Sequence, residues 1–186
     1  MRVIAGKARR MTLVTPAGLH TRPTSDKIKE TLFNILQPDI PDAMILDLFS
    51  GSGGIGIEAL SRGAKKAVFV DNSREAVKCI RENLRHTKLE SQAEVIPMDV
   101  LRAVNRIEAS GQQFDIIFMD PPYNKDLELS VLQYLQHAKF CTEDTLIIVE
   151  ASLETDVSRL EGEGFTVLRQ KPYKTNQHIF LQKENK

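Results

Sequence analysis

Two clusters in this 186-residue chain combine residue types and spacings that could do chemistry. In the first, Asp47 lies inside an apolar run, residues 44–49, that breaks into Ser50-Gly-Ser-Gly-Gly-Ile-Gly56. Gly51, Gly53 and Gly56 satisfy G-x-G-x-x-G, a pattern in which glycines let a ligand approach the backbone and a starting helix offers unpaired N–H groups. Twenty residues beyond Gly51, Asp71 closes the next apolar run, a strand end where a carboxylate suits the paired hydroxyls of a ribose. In the second cluster, Asp120-Pro121-Pro122-Tyr123 ends the apolar run 114–119. The Asp120 carboxylate and the Pro121 carbonyl can accept the protons of an exocyclic amine and localise its lone pair for attack. Pro121 and Pro122 lock the backbone, and Tyr123 offers a face on which an unstacked base can lie.

The glycine loop by itself admits a nicotinamide dinucleotide. Asp47 argues against one: a carboxylate just before the glycines repels a pyrophosphate but attracts the ammonium and sulfonium of S-adenosylmethionine. With that donor the methyl group arrives activated, so alignment supplies much of the rate and no metal is called for. Asp99, at the end of the third predicted strand, is placed to accept from the adenine 6-amino group, and Phe49, Asn72 and Val100 are expected to line the same cofactor. Glu58, within the loop's helix, reads as a solvated or structural charge. His20, His86, His137 and His178 have no ligand spacing and read as surface residues.

The elements that must position these groups alternate. After a predicted hairpin over residues 2–14 turning at Gly6-Lys7, a loop over 15–24 leads to a helix from Asp26 to about Gln37, capped by Thr24 or Ser25, with Ile28, Leu32, Ile35 and Leu36 on one face. Strands are predicted at 67–71, 93–97, 114–120 and 144–150, and helices at 74–87, 100–109, 126–138 and 154–161. This β-α repetition implies a parallel sheet covered on both faces. Two β-rich runs, 165–170 and 178–182, then form an antiparallel pair at the sheet edge.

With 41% hydrophobic and 27% charged residues, the composition is that of a soluble globular protein with one well-cored domain and a small appendage. No run of about 20 apolar residues spans a membrane and no secretory leader is evident, so the cytoplasm is the expected location. Cys79 and Cys141 lack metal spacing and read as packing groups. The net charge is zero, yet residues 1–37 carry seven basic groups against two acidic ones, +5, leaving −5 for the remainder. A basic head on an acidic body suits polyanion binding. Residues 1–40 are therefore set apart as a polyanion-binding appendage, with Arg2, Lys7, Arg9, Arg10 and Arg22 as its contacts beside the Asp120 cleft, and 41–186 as the catalytic domain.

Taken together, the head Arg2-Val-Ile-Ala-Gly-Lys, the stretch Thr21-Arg-Pro-Thr-Ser-Asp26 running into Leu32-Phe-Asn-Ile-Leu36, the loop from Asp47, the helix Glu58-Ala-Leu-Ser-Arg-Gly-Ala64 and Asp120-Pro-Pro-Tyr123 resemble the RsmD family of small-subunit (16S) ribosomal RNA (guanine-N2)-methyltransferases. The resemblance implies a Rossmann-like class I S-adenosylmethionine-dependent methyltransferase fold, a seven-stranded, mostly parallel sheet with an antiparallel last strand. It also implies ribosomal RNA or a small-subunit particle as partner, with no obligate protein partner evident. Ser50 stands where the family suggests alanine, and Lys174 where it suggests glycine. The competing readings are an adenine-N6 methyltransferase, which would need a larger groove-reading element than the roughly forty remaining residues provide, an NAD-dependent oxidoreductase, or a binding module that kept the fold alone.

Overall fold

A computed structural model describes residues 1–16, 26–123 and 126–184. Arg22, His20 and the predicted cap at Thr24 or Ser25 lie outside them. The elements run α1 (Asp26–Leu36), β1 (Met44–Leu48), α2 (Gly54–Ser61), β2 (Lys66–Val70), α3 (Arg74–Thr87), β3 (Ala93–Ile96), α4 (Val100–Ser110), β4 (Ile116–Met119), α5 (Leu127–His137), β5 (Leu146–Ala151), α6 (Val157–Glu161), β6 (Phe165–Pro172) and β7 (Gln177–Lys183). They build one seven-stranded sheet in the order β3-β2-β1-β4-β5-β7-β6. The first five strands are parallel, and β7 runs antiparallel to both β5 and β6. This is the doubly covered α/β architecture expected of a Rossmann-like methyltransferase.

Strand periodicity sorts the core into two layers. Leu46, Leu48, Val68, Val70, Ile117, Met119, Ile147 and Val149 face α4, α5 and α6. Ile45, Phe69, Ile116, Phe118, Ile148 and Phe180 face α1, α2, α3 and the amino-terminal segment. With both faces buried, the central strands read as continuous apolar runs, which is why they are legible in the sequence. Among the described residues, no helix is long and apolar enough to cross a membrane.

Three elements depart from the sequence reading. The amino-terminal hairpin reduces to one antiparallel bridge, Arg2 to Thr12, because its middle is held by α2 instead of by a partner strand: Lys7 N donates to the Ser61 carbonyl (2.8 Å), and the Ser61 hydroxyl accepts from Ala8 N (2.9 Å) while donating to the Ala5 carbonyl (2.6 Å). Thr142 and Thr145 close a turn, Thr142 N donating to Thr145 Oγ1 (2.9 Å), which delays β5 to Leu146. The helix predicted at 154–161 shrinks to five residues because Asp156 caps it, accepting from Ser158 N (3.0 Å).

Candidate active site

The carboxyl ends of β1, β2, β4 and β5 meet at one edge of the sheet, and the glycine loop turns over that edge. Each glycine of the pattern has a separate task. Gly51 leaves open space where a side chain would stand, and its N–H donates to Asp71 Oδ2 (2.8 Å). Gly53 caps α2 at φ 78°, in the left-handed region that a side chain disfavours. Gly56 lies so close beneath Phe69 that an added Cβ would stand 2.3 Å from its ring, and its N–H donates to Asp47 Oδ2 (3.0 Å). Phe49 adopts φ 60°, a costly conformation for a bulky residue and one that gathers where ligands bind. Ser50, in place of the alanine that the resemblance suggested, is used structurally: its hydroxyl donates to the Asp47 carbonyl (2.6 Å) and accepts from Val70 N (2.9 Å), lacing the ends of β1 and β2.

Asp47 is buried and shares the α2 side of the sheet with Ile45. Burial pushes its carboxyl up to about 8; the Gly56 N–H opposes this and the Asp71 charge adds to it. Pairing of Asp47 with Phe118 and of Met119 with Val149 carries Asp120 and Glu150 onto that same side at the next positions. Burial, then Glu150, then Asp47 hold the Asp120 carboxyl well above the usual carboxylate range. Three carboxyl groups crowded on one face form a site that a cation would relax, because like charges so placed disfavour joint ionisation.

Asp71 Oδ1 accepts from Ser73 N (2.9 Å) and Oδ2 from Gly51 N, and the cap of α3 is Ser73. Each oxygen keeps a lone pair for a ribose hydroxyl. Asp99 caps α4, accepting from Leu101 N (3.0 Å). Asn72 is exposed, and Val100 turns into the core between sheet and helices.

Beyond Asp120, Pro121 is buried and Tyr123 is 42% exposed. They open onto a cavity of about 230 Å³ whose lining is acidic: among the described residues, Asp126, Glu128, Glu150, Glu154 and Asp156 stand there with a single cation, Arg159, which pairs with Asp126 (3.0 Å). Burial, then the charges of Glu150 and Asp120, raise the Tyr123 phenol.

The sequence reading missed the far wall. His178, read as a surface residue, is fully buried, because β7 inserts between β5 and β6 and so loses both faces to packing. Its Nε2 meets Glu150 Oε2 (3.2 Å) and its Nδ1 meets the Tyr173 hydroxyl (3.2 Å). Asn176 Nδ2 donates to Glu150 Oε1 (2.5 Å). The turn between β6 and β7 closes by Tyr173 N donating to the Asn176 carbonyl (2.8 Å), and Lys174 sits in it without a positive φ, so glycine is not required there.

Glu58 is a structural charge and a deeply buried one. It accepts from Ile4 N (2.8 Å), Ala5 N (3.0 Å) and Arg62 Nε (2.8 Å) and pairs with Lys29 (3.4 Å), whose ammonium also donates to the Arg2 carbonyl (2.6 Å). Burial lowers the Lys29 pKa against the pull of Glu58. This cluster, with Leu32, Phe33 and Leu36 of α1, seats the amino-terminal segment on the sheet. Its basic turn is not beside Asp120: Lys7 and Ala8 are tied to Ser61 at the carboxyl end of α2, about 12 Å along an eight-residue helix from the glycine loop. Lys7, Arg9 and Arg10 are exposed, whereas Arg2 pairs with Asp26 (3.0 Å).

Residues 1–182 match the family model described as conserved hypothetical protein 95. The chain is 37% identical to ribosomal RNA small subunit methyltransferase D of Haemophilus influenzae, over 92% of this chain and 88% of that one. To the protein of the same name from Escherichia coli it is 35% identical, over 83% and 76%. Among solved structures, a hypothetical protein of Thermus thermophilus, TTHA0928, superposes with a TM-score of 0.83 at 29% identity, covering 100% of this chain and 99% of that one.

Proposed function

Because the chain belongs to the conserved hypothetical protein 95 family, the RsmD family of ribosomal RNA methyltransferases, we propose that it methylates the exocyclic N2 amine of one guanine in small-subunit ribosomal RNA, with S-adenosylmethionine as donor. The observation that carries this reading is the crowding of Asp47, Asp120 and Glu150 on one sheet face, with Glu150 also lining the acid-rimmed cavity that Pro121 and the half-open Tyr123 ring border.

The residues present fit the donor. Asp47 supplies buried negative charge for its cationic end, the open space over Gly51 admits its backbone-hugging part, and Asp71 retains acceptors for its ribose. When bound, S-adenosylmethionine supplies an activated methyl group. Asp120 and the Pro121 carbonyl then accept the protons of the target amine and direct its lone pair. Burial, then Glu150, then Asp47 hold the Asp120 carboxyl above the usual carboxylate range, and a positive charge seated on that face of the sheet favours its ionised, proton-accepting form. Tyr123 supports the flipped base. The acidic rim favours guanine, whose N1–H and N2–H groups are adjacent donors, over adenine, which sets a ring acceptor beside its amine and so faces a carboxylate with a lone pair.

In this reading, residues 1–40 are the RNA-facing part. Lys7, Arg9 and Arg10 contact phosphates away from the target base, and the sheet domain does the chemistry. Mass-spectrometric mapping of ribosomal RNA tests the assignment: one N2-methylguanine in the small subunit should vanish when the gene is deleted and return with the wild-type gene but not with Asp120→Ala. Loss of a methyladenine instead would overturn the guanine reading.

A further inference from the structure

Glu150, at the carboxyl end of β5, is braced by polar groups that the transfer chemistry leaves unused. His178, Asn176 and Tyr173 reach it from β7 and the turn before that strand. Glu150 Oε1 accepts from Asn176 Nδ2 (2.5 Å), and Oε2 meets His178 Nε2 (3.2 Å). A carboxylate oxygen accepts, so Nε2 carries the imidazole hydrogen and Nδ1 accepts from the Tyr173 hydroxyl (3.2 Å). The imidazole is also packed in place, edge-on to Tyr173 and Phe118, with ring centroids at 5.0 and 5.9 Å. Two donors on two oxygens fix both the direction of the carboxylate and its polarity: it is held as an acceptor. Glu150 is only 5% exposed, yet it lines the cavity that Pro121 and Tyr123 border.

We infer that Glu150 selects the target base: its carboxylate accepts the N1–H of guanine while Asp120 and the Pro121 carbonyl take the protons of the neighbouring N2 amine. This rests on the reading of Asp120–Tyr123 as the motif that engages guanine, and names the residue that tells guanine from other bases. Strand register supplies the geometry. Met119 pairs with Val149, so Asp120 and Glu150 stand side by side at the next positions, on neighbouring strands roughly 4.8 Å apart. The N1–H and N2–H groups are adjacent donors on the one edge that a base taken out of its stack presents to such a site. Adenine sets a lone pair at N1 beside its amine, and an acceptor fixed in direction repels it.

The test uses 2-aminopurine, which keeps the N2 amine of guanine but carries a lone pair at N1. Small-subunit RNA is assembled by ligation with guanine or 2-aminopurine at the nucleotide that deletion mapping identifies. Both forms are assayed, free and reconstituted into particles, with tritiated S-adenosylmethionine. Wild-type enzyme should favour guanine by about a hundredfold or more in kcat/KM, because a charged acceptor faces a lone pair in the analogue. Glu150→Gln puts an amide N–H where the carboxylate stood. Its oxygen can still accept from His178, and the Asn176 amide can turn its buried Oδ1, which has no partner among the described residues, to accept from the new nitrogen. The preference for guanine should therefore fall by at least about tenfold in this variant. A ratio of two substrates on one enzyme cancels losses of folded protein and of donor affinity, so a merely structural role for Glu150 would not move it. Equal kcat/KM on the two bases with wild-type enzyme overturns the inference, whether or not the variant folds. An unchanged ratio in Glu150→Gln overturns it too, since the base is then selected by other residues. Failure of the underlying reading looks different: wild-type enzyme would leave the guanine substrate itself unmethylated.

Discussion

Asp47 makes cofactor affinity depend on pH, and by an amount the structure allows to be worked out. Its carboxyl titrates at about 8 because it is buried, so at pH 7 about nine in ten empty molecules hold it protonated. Seating a cation against it there first releases that proton, at a cost of about 1.4 kcal/mol for one pH unit. The attraction gained is about 4 kcal/mol for unit charges some 4 Å apart at an effective dielectric constant near 20. The difference, about 2.5 kcal/mol, means that Asp47→Asn weakens S-adenosylmethionine binding at pH 7 by between about 30- and 100-fold. The assay is isothermal calorimetry in two buffers of different ionisation enthalpy, run in the Asp120→Asn background so that the second raised carboxyl does not enter the proton count. Binding should release about one proton at pH 6 and about 0.9 at pH 7, and affinity should rise nearly tenfold between them; above pH 8 the donor's own amino group begins to deprotonate. Adding Asp47→Asn should abolish both the proton release and the slope. An affinity independent of pH with Asp47 intact would refute the placement of the donor's cation beside it. In the empty protein the sign is opposite: a carboxyl raised in the folded state holds its proton more tightly than the unfolded chain does, so stability declines as pH rises from about 4 to about 8.

Asp120→Ala should leave donor binding within about threefold of wild type while reducing turnover by at least about a thousandfold, because the missing carboxylate acts on the amine in the transition state; near-normal rates on RNA would exclude it as the acceptor of the amine's protons. Glu58→Gln strands the buried Lys29 ammonium and should cost about 3–5 kcal/mol, a fall of roughly 10 °C in melting temperature for a chain of this size. Adding Lys29→Met should recover most of that loss, and a second variant no more stable than the first would show that the pair is not what seats the amino-terminal segment. Arg9→Ala with Arg10→Ala should weaken RNA binding and lower its salt slope by about one unit for each phosphate left without its guanidinium, with donor affinity unchanged; an unaltered slope would place the RNA surface elsewhere.

The legible part of this protein was local. A glycine loop, the aspartates that end strands, a Pro-Pro turn and apolar runs of strand or helix period are written within a few residues of one another, because backbone geometry and burial on a sheet act over those distances. They led to the seven-stranded sheet, to Asp47, Asp71 and Asp120 at its carboxyl edge, and to the family. What only the tertiary structure decided is everything set by long-range pairing. Glu58 looks like any helical glutamate until Lys29 and the backbone of Ile4 and Ala5, more than fifty residues away for the latter two, close on it. The basic turn lies far from Asp120 because Ser61 anchors it, an attachment with no trace in the local pattern of either segment. His178, Asn176 and Glu150 meet because β7 crosses back antiparallel between β5 and β6. A polar residue in a β-rich run is read as solvent-facing by default, and only the insertion of that strand into the sheet turns a surface histidine into a buried brace of the active site.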